Sequence, residues 1–211
     1  GNVALNCKSL GAQVSVLSVM GNDSESAILG ELFGSHTIDS SWLVKSNDRV
    51  TTSKTRIISH NQQMMRLDAE IIHDLNNNEE DELLRKIKDY ISSVDPDIII
   101  FEDYNKGVLT EKIISETIKL CKAAGVLTAV DPKKKNFFSF KGADIFKPNL
   151  KEVKEGLNLL LDQINSTSLQ KIHKELQTIL QHSISFITLS EKGVFFQDKA
   201  NAKLIPSHIR N

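Results

Sequence analysis

Carboxylates, an ammonium group and a glycine crowd together at one point of this chain, in the run Asp97-Ile-Ile-Ile-Phe-Glu-Asp-Tyr-Asn-Lys-Gly107. Asp103 can accept hydrogen bonds from hydroxyls, and Lys106 can hold a phosphate or another anion. A short apolar run that empties into polar residues is how a buried parallel strand delivers side chains to the rim of an α/β sheet. The same residues also fit a strand end whose charges simply face water, and the loop alone leaves both readings open.

Three further apolar runs end in the same manner, at Asp131/Lys133, Asn149/Glu152 and Ser190/Lys192. Carboxyl ends of parallel strands share one rim, so the four loops are expected to converge. Carboxylates with ammonium groups suit a phosphate-bearing, hydroxyl-rich ligand accompanied by magnesium. Each piece has a plainer reading. Asn149 with Glu152 three residues on matches a capping box and accounts for itself as a helix start; from that start Glu152 could equally orient a metal-bound water. Lys133 belongs to the Lys133–Lys135 run and reads more simply as a solvated turn, and Arg66 as a surface partner of Asp68 or Glu70.

The elements that must position these groups alternate in kind. Helices are expected at Asn2–Leu10, Ser24–Phe33, Glu79–Val94, Thr110–Ala124, from Leu150, and at Ser166–Gln181. Strands are expected at Gln13–Met20, Ile98–Phe101, Val126–Val130, Asp144–Phe146 and Ile184–Leu189, with a final hairpin from Val194–Gln197 and Ala202–Ile205. Residues 51–68 differ, reading as an inserted β-hairpin turning at His60-Asn61-Gln62, a lid or subsidiary sheet. Strands alternating with helices imply an α/β fold with a mainly parallel, doubly wound sheet.

Composition narrows the classes. With 211 residues, 40% hydrophobic and 25% charged, the chain is sized for one α/β domain with a sizeable core, or for one domain and a small appendage. A formal net charge of −1 gives no reason to expect a nucleic-acid or membrane surface. No apolar segment approaches the roughly 20 residues that span a bilayer, and no secretory signal is seen, so the expected location is cytoplasmic. Cys7 and Cys121 lack metal-ligand spacing, and the histidines do not cluster. There is no G-x-G-x-x-G, G-x-x-x-x-G-K-[ST] or G-x-S-x-G, which disfavours a dinucleotide fold, a P-loop and a serine-nucleophile elbow.

The motifs taken together resemble ribokinase-like carbohydrate kinases. Gly1-Asn-Val-Ala-Leu-Asn6 with Leu10-Gly-Ala12 is similar to the family's entrance. Thr52–Arg56, Asn61–Asp68, Asp103–Thr110, Val130–Lys133 and Pro148–Glu152, in that order, resemble the heptose-7-phosphate kinase branch, the kinase half of bifunctional ADP-heptose synthases of lipopolysaccharide biosynthesis. The resemblance implies that Asn149, Leu150, Lys151 and Glu152, with Ser190, Lys192 and Gly193, lie beside ATP, Glu152 reaching magnesium through water. It implies sugar-phosphate contacts at Asn2, Arg66, Asp103 and Lys106. The implied reaction moves the γ-phosphoryl of magnesium ATP to the anomeric hydroxyl of a heptose 7-phosphate, giving a 1,7-bisphosphate. The family's base is an aspartate of a Gly-Ala-Gly-Asp motif, expected beyond Asn211, just after the last hairpin. The chain is thus expected to be a partial kinase domain over 1–211, incomplete at both ends, without turnover of its own, and no nucleotidyltransferase half is visible. Two alternatives remain: a kinase of the same fold for another sugar or a nucleoside, and a non-catalytic ligand-binding or dimerisation module. The hairpin could build a homodimer.

Overall fold

The computed structural model describes residues 1–160 and 163–207. The chain divides into two compact units, one of residues 1–90 and 106–108, the other of 91–105 and 109–211.

The first unit opens with α1 (Asn2–Ser9), β1 (Val19–Gly21), α2 (Ser24–Ser35) and β2 (Val44–Ser46). β1 and β2 pair in parallel across the α2 crossover. The strand expected over Gln13–Met20 is therefore mostly not a strand. Its first part makes one isolated bridge, Ser15 to Asp39, and only Val19–Gly21 joins a ladder, because β2 offers just three residues to pair with. α2 begins where Asp23 accepts the Ser26 N–H at 2.9 Å, and it runs one residue past Gly34, its expected stop. β3 (Ser53–Ser59) and β4 (Gln62–Ala69) form the expected antiparallel hairpin. His60 and Asn61 both take positive φ at its tip, as a two-residue loop between right-twisted strands requires. Thr55, Ile57, Met65 and Leu67 share one face of the hairpin, and Lys54, Arg56, Arg66 and Asp68 share the other. Ile57, Met65 and Leu67 are exposed.

α3 (Asn77–Val94) leads from the first unit into the second, starting two residues before Glu79. Then come β5 (Ile98–Glu102), α4 (Glu111–Ala124), β6 (Leu127–Asp131), β7 (Ile145–Phe146), α5 (Leu150–Gly156), α6 (Ser166–Leu180), β8 (Ile184–Thr188), β9 (Val194–Gln197) and β10 (Ala202–Ile205). The helix ends follow local chemistry. Thr110 caps α4 by accepting the Ile113 N–H, and Gly125 ends it in the left-handed region at φ 75°. Asn165 and Ser168 close a reciprocal cap on α6.

The sheet order is β10-β9-β8-β7-β6-β5, with β5 to β8 parallel and β9 and β10 added antiparallel. This is the mainly parallel α/β sheet the alternating elements implied. One face carries the core, where Phe101, Val130, Phe146 and Ile187 of the strands meet helix residues such as Ile114 and Leu176. On the other face Ile98, Ile100 and Leu127 stay exposed. Because β5, β6, β7 and β8 are parallel and adjacent, their carboxyl ends form one continuous rim.

Candidate functional site

At the end of β5, Asp103 is only 4% exposed. Its backbone N–H donates to the Asp131 carbonyl at 3.2 Å, so the loop after β5 starts against the last residue of β6. One carboxylate oxygen accepts the Asn105 N–H at 2.7 Å, and the other accepts from Asn136 Nδ2 at 3.1 Å. Asn136 gives a second hydrogen bond to the Leu109 carbonyl at 2.8 Å. A buried carboxylate is tolerable only with such partners, and this one is held in a single orientation by them.

The loop after β6 then reaches the start of α5. Lys133 Nζ lies 2.5 Å from Glu152 Oε1. The capping box expected at this helix is present in full: Asn149 Oδ1 accepts the Glu152 N–H and Glu152 Oε2 accepts the Asn149 N–H, both at 2.9 Å. Partial burial works against the charge on Lys133, but the Glu152, Asp131 and Asp103 carboxylates outweigh it and hold the ammonium above its usual range. Asp131 is paired in turn with Lys147 at 2.9 Å. Burial, reinforced by the field of Asp131, pushes the neighbouring Glu102 carboxyl up. Lys151 faces out, 3.8 Å from Glu155. After β8, Thr188 donates to the Pro148 carbonyl at 3.1 Å, and Ser190–Lys192 form a 3₁₀ turn closed by Gly193.

Asp103, Asp131/Lys133, Asn149/Glu152 and Ser190/Lys192 thus stand at the ends of four adjacent parallel strands or in the turns that follow them, as the strand-end pattern implied. Lys106 belongs to the first unit instead. There it meets Glu70 Oε1 at 2.5 Å, and the series continues through Lys54 to Asp68 and Arg66: Lys54 lies 3.4 Å from Glu70 and 2.8 Å from Asp68, and Arg66 lies 2.8 Å from Asp68. Arg66 is thus a partner of Asp68, one of the two surface pairings its sequence context offered. Lys54 and then Arg66 hold the Asp68 carboxyl below its usual range, and Lys106 does the same for Glu70. The backbone of Lys106 is clamped by the buried Arg49, which donates to the carbonyls of Lys106 at 2.7 Å and His73 at 3.2 Å. Gly107 is indispensable beside it. At φ 75° a Cβ would lie 1.8 Å from the His73 carbonyl oxygen. Asn2 is the first residue of α1 and is exposed.

Sequence reasoning undervalued Lys133 and missed Asn136, Arg49 and Lys54. Lys133 was obscured by two more lysines beside it, and nothing in the spacing of the other three marks their distant partners. The donors present do not make a protein-built metal centre. Among the described residues no group of three or more histidine, cysteine or acidic side chains could hold a metal ion. Both oxygens of Glu152 are engaged, one by Lys133 Nζ and the other by the Asn149 N–H, so this carboxylate is not free to ligate a cation directly. No helix among the described residues is long and apolar enough to cross a membrane.

Residues 1–210 match the model of the pfkB family carbohydrate kinases. The chain is 35% identical over 199 residues to the bifunctional protein HldE of Aliarcobacter butzleri, covering 94% of this chain and 41% of that protein. It is 37% identical to the bifunctional protein HldE of Helicobacter acinonychis, covering 94% and 42%. It therefore spans about two fifths of the length of these relatives. Among solved structures, the tetrameric inhibited form of phosphofructokinase-2 from Escherichia coli superposes with a TM-score of 0.77 at 16% identity, covering 96% of this chain and 65% of that one. Ribokinase from Arabidopsis thaliana, complexed with ribose and ATP, gives a TM-score of 0.69 at 14% identity, with 99% and 65% covered. At these identities the two structures speak for the fold, and the family match speaks for the lineage: the chain belongs to the pfkB family of carbohydrate kinases.

Proposed function

We propose that the protein containing this chain is an ATP-dependent sugar kinase that phosphorylates the anomeric hydroxyl of a heptose 7-phosphate, with residues 1–211 as part of its kinase domain. The observation that carries this reading is the rim itself, where a buried, oriented carboxylate at Asp103 shares one sheet edge with the Asn149–Glu152 helix start. Phosphoryl transfer needs positioning and charge stabilisation more than covalent help from the protein, and this edge offers both. Asp103 accepts hydrogen bonds from the sugar hydroxyls. Lys106, Arg66 and Asn2 are the residues of the first unit that engage the sugar phosphate.

Asn149, Leu150, Lys151 and Glu152 hold the nucleotide at the α5 start, and Ser190, Lys192 and Gly193 border it. Magnesium, arriving with ATP, neutralises the phosphate oxygens. The proton acceptor is the aspartate of the family's Gly-Ala-Gly-Asp motif, which these 211 residues do not contain. Three of the strand-end carboxylates are already committed: Asp103 and Glu152 are tied up by hydrogen bonds and Asp131 by Lys147. We expect no turnover from the 211 residues alone. The same proposal places the enzyme in the cytoplasm, where its nucleotide is made. It also gives the hairpin a partner: exposed Ile57, Met65 and Leu67 on one face of a two-stranded sheet favour packing against a second copy.

The test is a coupled ADP-release assay on the complete gene product with a panel of heptose 7-phosphate, hexose phosphates, free sugars and nucleosides. The proposal expects the heptose 7-phosphate to give the highest kcat/KM by more than about tenfold, a gap a few well-placed hydrogen bonds can supply. A nucleoside or free sugar as the best substrate would replace it.

A further inference from the structure

A single short turn after β6 grips two separate parts of the rim. Lys133, at one end, reaches forward to Glu152 at the start of α5; Asn136, three residues on, reaches back to Asp103 at the end of β5. The residues between wind as a 3₁₀ turn, with the Asn136 N–H donating to the Lys133 carbonyl at 3.2 Å. The turn is anchored from below. Phe137, directly after it, is buried and meets Phe146 edge-on at 5.2 Å. A Cβ added at Gly156 would lie 2.7 Å from the Phe137 ring, so the turn sits directly on α5.

Asn136 is 6% exposed and spends both of its amide hydrogens, one on Asp103 and one on the Leu109 carbonyl. It has no hydrogen left to donate to a ligand, yet it fixes the Asp103 carboxylate, which the proposed function assigns to the sugar. Lys133 stands in the same relation to Glu152, whose other oxygen is bound to the Asn149 N–H.

We propose that Lys133 and Asn136 are positioning residues with separable duties, Asn136 setting the acceptor-binding Asp103 and Lys133 setting the nucleotide-binding Glu152. This rests on the sugar-kinase reading above and adds a residue-level division within it. Each carboxylate has one dedicated side-chain donor, so losing one donor disturbs one substrate. A turn that only stabilised the fold would disturb both substrates together.

The experiment compares the complete gene product with Asn136→Ala, Lys133→Met and Lys133→Arg, reading KM for each substrate, kcat and melting temperature. Loss of a hydrogen bond to a charged group corresponds to roughly tenfold or more in binding. Asn136→Ala should raise the KM for the sugar phosphate by about that factor and leave the KM for MgATP within about twofold. Lys133→Met should do the reverse, and Lys133→Arg, which keeps a cation able to reach Glu152, should restore most of the nucleotide affinity. If Asn136→Ala does not fold, the Lys133 pair still decides the donor half. Variants that move both KM values in parallel, or neither, overturn the division of duties while the kinase reading stands. A wild type that phosphorylates no sugar overturns both.

Discussion

The rim of the six-stranded sheet and the β3–β4 hairpin are built from the same chemical groups, carboxylates facing ammonium and guanidinium, yet they hold them in opposite ways. On the rim, Asp103 and Asn136 are buried, and their hydrogen bonds run between loops far apart in sequence. On the hairpin, Arg66, Asp68, Lys54 and Glu70 hold one another in water, with side-chain exposures between 21% and 48%. Rim groups are fixed by the core beneath them, as a preorganised site requires. Hairpin groups are fixed only by mutual attraction, which solvent and salt weaken. Under the proposed function, the first region would orient reactants and the second would adjust around a ligand or a partner.

The contrast can be broken by mutation, beginning beneath the rim. Phe140, fully buried and edge-on to Phe101 at 5.6 Å, supports β5 just before Asp103. Phe140→Ala should cost about 3–5 kcal/mol of stability in urea denaturation. A loss under about 1 kcal/mol would mean the rim does not depend on its core.

Acid should be the next strongest perturbation. His173 Nδ1 and His182 Nε2 both meet the buried Ser185 hydroxyl, at 2.8 and 2.6 Å. Burial, aided by His173, lowers the His182 imidazole to about 4, and burial lowers His173 as well. Their folded-state values lie below the unfolded one near 6.5, so below that pH the unfolded chain takes up protons that the folded chain refuses. Stability is therefore fully present above about pH 6.5 and falls as the pH drops towards 4, by an amount on the order of a few kcal/mol. Urea midpoints across pH 7 to 4.5 check this, and a flat profile through that window would contradict it.

At the helix start, Asn149→Ala removes one half of the reciprocal cap and should cost about 1 kcal/mol. The smallest effect belongs to the hairpin. Arg66→Ala should change stability by no more than about 0.5 kcal/mol, since its pair with Asp68 is exposed. A loss on the rim's scale would show that the hairpin network is cooperative and erase the distinction between the two regions.

What the sequence disclosed follows the same division. Thr110 and Gly125 bracket α4, and Asn149 with Glu152 opens α5, because capping chemistry lies within four residues of the helix it ends. The hairpin was equally legible, from strand-prone residues around a polar turn. The strand expected over Gln13–Met20 failed because a ladder needs a partner: β2 pairs with three residues only, and alternation cannot reveal the length of an absent neighbour. Of the site, the strand-end carboxylates could be read directly. Asn136, Arg49 and the engagement of Lys133 could not, since each is defined by a partner 19 to 57 residues away.

The central claim, that the rim binds both substrates, is tested most directly by amide hydrogen exchange of the complete gene product, free, with MgATP, and with the sugar phosphate. The nucleotide should slow exchange at residues 149–153 and 188–193, and the sugar phosphate at residues 102–107, with the core helices α4 and α6 unchanged. Protection confined to other segments, or none at the rim with either ligand at saturation, would contradict it.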